Sequence, residues 1–246
     1  MYGIVYTPTA TMYVFDATVV LWLMVRAYRA HRQTGNMYSQ MMYRMAAGVA
    51  AALYIFGFSH LYLNEQEVAL GVLFVLADVP LFAGLIYGVK LVFNVWNKKK
   101  LEFWFPMVLS ILSAIYIVYR LVYLPNIYSI SGVIFFDESI QVKVAFILLL
   151  ATMTFLPGVF FVTSKVYGLK NRIKKFLIGL SMFVAGGGAL LAPLNDSFLV
   201  TQISHIIVFL GFVILASSFV FDILYRGKKA LQPSEQEVIT PSSNTL

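Results

Sequence analysis

Seven long apolar runs constrain this 246-residue chain more than any other feature, at about 10–30, 41–63, 67–95, 101–123, 139–164, 174–193 and 198–225. Each reaches the ~20 residues that an α-helix needs to cross a bilayer. Membrane β-strands would be shorter and would alternate apolar with polar residues, and stretches such as Val144–Leu150 and Ile206–Ala216 do not alternate. The expected fold is therefore an all-α integral membrane protein, a seven-transmembrane helix bundle over residues 1–229. Composition agrees, with 60% hydrophobic and 12% charged residues, against roughly half and a quarter in soluble domains. The connections leave no room for a soluble domain, and the polar residues 230–246 are expected to form a disordered cytoplasmic tail.

Orientation follows from the basic residues, which are retained on the cytoplasmic side of short loops. Arg26, Arg29, Arg32 and Arg44 surround the first loop; Lys90 and Lys98–Lys100 the third; Lys165, Lys170, Arg172, Lys174 and Lys175 the fifth. Arg226, Lys228 and Lys229 follow the last run, so of the 18 basic residues only Arg120 and Lys143 lie elsewhere. The N-terminus is expected outside and the C-terminus in the cytoplasm, with the plasma membrane as the expected location. The first positive charge is Arg26, so the first run has no basic segment before it and reads as a retained helix. The net charge of +7 flanks apolar runs instead of forming a patch, so nucleic acid is not an expected partner. Lipid is. With no cysteine in the chain, thiolate metal sites and cysteine nucleophiles are excluded.

A shift of 131 residues lays the second run over the sixth without a gap. Gly48 then meets Gly179, Gly57 meets Gly188, and Leu63-Asn64-Glu65 meets Leu194-Asn195-Asp196. The same shift lays the third run over the seventh, which describes two parallel three-helix units joined by the fourth helix. This 3+1+3 layout, with its external N-terminus, resembles the topology of SWEET-type sugar carriers and of rhodopsin-like proteins over the whole chain. Their motifs are missing. No lysine for a retinal Schiff base lies between Phe198 and Tyr225, and the carriers' proline–glutamine pair is absent. Seven-helix metal hydrolases use two histidines four apart on helix seven, but His205 has Thr201 and Phe209 at those positions.

Ionisable side chains within a span cost about 2.5–3.5 kcal/mol each on insertion scales and call for an explanation. At about 1.5 Å per residue, Asp16 and His205 lie about 10 Å from the outer ends of their helices, His60 about 6 Å and Arg120 about 5 Å. Asp78 is deepest, at about 16 Å. The shared outer depth points to one cavity entered from outside and formed by Asp78, Asp16, His205, His60 and Arg120, with Asp16 and His205 nearest Asp78. For His60 and Arg120 the competing expectation is a headgroup position, with Arg120 snorkelling outward. Pro80, two residues after Asp78, frees a backbone carbonyl nearby. His60 and His205 also admit a haem, or a metal completed by Asp16. Gly186-Gly187-Gly188 reads as close helix packing.

No hydrolase elbow, Walker loop or dinucleotide fingerprint occurs, so a non-enzymatic role is expected. The preferred expectation is a receptor-like, sensory or accessory protein with an outward-facing polar cavity for a small ligand, acting through a membrane-protein partner. A small-solute carrier and a haem- or metal-binding subunit of a membrane complex are the alternatives.

Overall fold

The computed structural model describes residues 8–62, 66–130, 133–164, 169–191 and 198–231. It contains α1 (Pro8–Thr34), α2 (Met37–Tyr62), α3 (Glu67–Val95), α4 (Lys99–Val122), α5 (Ile140–Thr163), α6 (Leu169–Leu191) and α7 (Phe198–Leu231). All seven are long and apolar enough to cross a membrane. The helices occupy the expected runs with ends moved by a few residues. Helix α7 continues into the segment expected as tail, whose remaining residues 232–246 lie outside the described ones, as do the matched tripeptides at 63–65 and 194–196.

Short connections make the helices antiparallel neighbours. After α1, Gly35 adopts φ +63° and donates its N–H to the His31 carbonyl at 2.8 Å, the left-handed stop that glycine takes without a Cβ clash. Asn36 then caps α2, its side-chain oxygen accepting the Tyr38 N–H at 2.8 Å. One connection differs from expectation. Between α4 and α5 the chain forms an antiparallel hairpin of β1 (Asn126–Ile130) and β2 (Val133–Asp137), with Ile127 opposite Phe136. The hairpin packs on the bundle, since a Cβ at Gly71 of α3 would meet Ile127 at 3.5 Å.

Helix α1 packs on α2 and α7, α3 on α2 and α5, and α6 on α5 and α7, so six helices close a ring. Helix α4 lies outside it, against α3 and more thinly α5. One stripe of α4 is buried, Pro106, Leu109, Ser113, Tyr116 and Arg120, at the alternating three- and four-residue spacing of a helix face. Its other faces expose Phe103, Trp104, Ile111, Ile115 and Val118, the surface expected of a helix facing lipid.

Packing closes the bundle end away from the hairpin. Leu23, Met42, Met45, Leu91, Phe161 and Leu215, from five helices, meet there in one buried apolar cluster. The matched glycines make close approaches to different neighbours. A Cβ on Gly48 would come within 2.6 Å of Gly84 on α3, whereas one on Gly179 would meet Val162 on α5 at 2.6 Å. Gly57 faces α1 and Gly188 faces α7. The ring has the two seams that a 3+1+3 repeat requires, α3 with α5 and α7 with α1, but its matched glycines do not occupy matched contacts.

Candidate functional site

A cavity of about 270 Å³ runs inside the ring from the hairpin end. Most of its wall is apolar or aromatic, and its ionisable groups fall into two sets with the Phe74 and Phe136 rings between them.

The first set is built around Arg120. Its place on the buried stripe of α4 turns it inward, where it is 2% exposed. One terminal nitrogen, Nη1, donates to Asp78 Oδ2 and the other, Nη2, to Glu138 Oε1. The guanidinium carbon lies 4.9 Å from the Phe74 ring and 5.3 Å from the Tyr116 ring, so aromatic faces replace part of its lost hydration. Three parts of the chain are thereby joined: α3 through Asp78, α4 through Arg120, and the connection between β2 and α5 through Glu138. Burial pushes the Glu138 carboxyl above its usual range, against the opposing pull of Arg120. Nearby, Lys143 lies 3.8 Å from Asp137, whose side chain is half exposed, and such a pair adds little.

The second set stands on α1, α2 and α7. Thr9, Tyr13 and Asp16 follow one another at spacings of four and three, continued by the buried Val20, Leu23 and Ala27, so they share the inward stripe of α1. Tyr13 lies against both imidazoles, 5.5 Å from the His60 ring and 4.7 Å from that of His205. His60 is fully buried and its Nδ1 lies 2.6 Å from the Phe56 carbonyl oxygen. A carbonyl only accepts, so Nδ1 carries a proton and Nε2 of the neutral ring presents a lone pair. That Nε2 has no hydrogen-bond partner, nor do Thr9 Oγ1 and both carboxyl oxygens of Asp16, although all are buried. Buried polar groups are rarely left unpaired, because desolvation without a compensating bond costs ~1–3 kcal/mol even for neutral groups.

All five expected residues, Asp78, Asp16, His205, His60 and Arg120, line this cavity. Three expectations need correction. Arg120 and His60 do not turn outward: both are buried inside the protein, Arg120 against Phe74 and Tyr116 and His60 against Tyr13 and Phe136. The ionisable companions in direct reach of Asp78 are Arg120, which it pairs with, and Glu138 on the same guanidinium, not Asp16 and His205. And Asp16 with the two histidines does not form a metal-ligand set: among the described residues no group of three or more His, Cys, Asp or Glu could hold a metal ion. Glu138, Thr9, Tyr13 and Phe136 were not singled out from the sequence. Phe136 of β2 stacks on Phe74 at 3.6 Å between ring centroids and contacts His60 edge-on at 5.6 Å, so the hairpin covers part of the cavity.

Fold and site together describe a seven-helix bundle, of membrane-spanning length, around a cavity with an ion-paired cluster at Arg120, where Arg120 Nε and the Tyr116 hydroxyl are left without a partner, and a group of unpaired polar atoms on Thr9, Asp16 and His60. Comparison with protein-family models, curated proteins and solved structures finds no match for this chain.

Proposed function

We propose that this chain is a seven-helix integral membrane protein of the plasma membrane whose hairpin end faces outside, and that it holds a small ligand in its cavity in a receptor-like or accessory role. The observation that carries this reading is the wall of unpartnered polar atoms on Asp16, His60 and Thr9. Those groups line a space from which apolar side chains of similar size would exclude polar atoms at less cost. A ligand that hydrogen-bonds them repays their burial. The volume falls just below the roughly 300 Å³ at which ligand pockets usually begin, which restricts the occupant to a small molecule.

A receptor-like role is favoured over a carrier by the packing opposite the hairpin, where Met45, Phe161 and Leu215 belong to a cluster without a buried charge. A carrier must open both ends. The carrier reading has its own support in the two ring seams, which are those of parallel three-helix units rocking about α4. Signalling would pass to a membrane-protein partner through the basic loops, since the described helices and hairpin include no separate effector domain.

The absence of native cysteine makes the access question direct. Thr9→Cys lies on the cavity wall toward the hairpin and Met45→Cys at its other end. In oriented vesicles, a membrane-impermeant thiol reagent added outside should label Thr9→Cys. Reagent added to the cytoplasmic face should leave Met45→Cys unlabelled. Labelling of Met45→Cys from the cytoplasm would favour the carrier, and failure of Thr9→Cys to react from outside would remove the external cavity.

A further inference from the structure

Every cavity charge but one has a partner or an exit to the surface. Arg120 engages Asp78 and Glu138, and Lys143 stands near the exposed Asp137. Among the described residues, Asp16 alone is a carboxylate with both oxygens buried and unbonded. It is 1% exposed and lines the cavity with the His60 ring, whose free Nε2 is also an acceptor. Tyr13, Phe56 and Phe74 supply aromatic surface on the same side, with Tyr13 5.3 Å from Phe56 and Phe56 5.2 Å from Phe74.

These groups select for a type of ligand. Two buried acceptors lining one cavity repel a carboxylate or phosphate and satisfy a donor. A nitrogen acceptor and aromatic walls suit an organic ammonium better than an alkali ion, which prefers a shell of oxygens. Formal charge points the same way, since three carboxylates, Asp16, Asp78 and Glu138, line the cavity against two basic side chains, Arg120 and Lys143. The apolar remainder of the wall, including Leu53, Leu81 and Leu85, fits a hydrocarbon body.

We propose that the cavity binds a small organic ammonium with an apolar or aromatic body, its N–H groups donating to Asp16 and to His60 Nε2. This rests on the ligand-cavity reading above and adds the ligand's chemical class. Asp16 is the anchor because it is the carboxylate the protein itself leaves uncompensated. Asp78, the deeper one, serves the wall by holding Arg120.

The test uses the full chain in lipid nanodiscs and three probes of one shape: 2-phenylethylammonium, 2-phenylethanol and phenylacetate. Calorimetric titration should show the ammonium binding most tightly. Asp16→Asn should weaken it by about ten- to a hundredfold, the worth of a charge-assisted hydrogen bond, and erase its advantage over the alcohol. His60→Phe keeps the ring contacts and should weaken it less. If Asp16→Asn does not fold, the selectivity of the unaltered protein among the three probes decides. Ammonium binding indifferent to Asp16→Asn, or an alcohol or acid that binds as tightly, overturns the ammonium assignment and leaves the cavity. If no probe binds while Thr9→Cys is labelled from outside, the assignment fails alone; if Thr9→Cys is also unreactive, both readings fail.

Discussion

Arg120 holds two carboxylates from different elements in a dry, aromatic setting, so the consequences of removing it are lopsided. Arg120→Met leaves Asp78 buried without a counter-charge and Glu138 with only the more distant Lys143, and breaking a buried pair in this way costs about 3–5 kcal/mol. Its melting midpoint in detergent should fall well below that of the parent. Adding Asp78→Asn and Glu138→Gln removes the orphaned charges and should recover most of the loss; a triple variant as unstable as the single one would show that Arg120 matters by packing. Sequence reasoning reached Arg120, Asp78, Asp16 and the two histidines through their depth along the helices. It did not reach their pairing, because depth fixes position along an axis and says little about azimuth. The azimuth was partly legible. Arg120 continues the stripe of Pro106, Leu109, Ser113 and Tyr116, and Asp16 that of Thr9 and Tyr13. Glu138 was hidden for another reason: it lies in a connection, and only the fold brings that connection over the cavity.

At the level of elements, glycine decides how closely the helices approach. The three consecutive glycines of α6 face three directions. A Cβ on Gly186 would meet Thr154 of α5 at 2.6 Å, one on Gly188 would meet the α7 backbone at 2.8 Å, and one on Gly187 would meet nothing within 4 Å. Gly188→Ala has backbone in its way and should destabilise by about 1–3 kcal/mol, the usual cost of overpacking. Gly187→Ala should be neutral or stabilising by up to ~1 kcal/mol, because alanine is the better helix former. Thermal unfolding of the two variants side by side checks this, and equal losses would refute the packing account. The sequence showed that the triplet serves packing but could not distinguish its members, since that depends on where α5 and α7 lie. The hairpin was overlooked although its signal is present. Two short β-branched and aromatic runs flank Ser131-Gly132, a turn-forming pair. A search for stretches of ~20 apolar residues passes over runs of five.

For the whole molecule, the number, order and approximate ends of the helices were legible because each apolar run is set apart by charge or turn residues. Ring order was not, because a chain of antiparallel neighbours leaves open which helix stands outside, and here it is α4. Orientation rests on charge alone. Four basic clusters share the end opposite the hairpin: around the α1–α2, α3–α4 and α5–α6 connections, and after Tyr225. Translocating such short basic segments is disfavoured, so a reporter fused after Lys229 should be cytoplasmic and a tag inserted between Ser131 and Gly132 should be accessible from outside. The clusters act together, so no single one should be decisive. Replacing Lys98, Lys99 and Lys100 by glutamine leaves the other three clusters intact and should change neither location. Adding replacements in the first loop, at Arg26, Arg29 and Arg32, acts on the helix that most often sets topology and should produce a mixed population. Protease protection of the tag, measured with the C-terminal reporter in the same cells, reads both ends at once. A reporter found outside in the unaltered chain would reverse the bundle, and the cavity would then open to the cytoplasm.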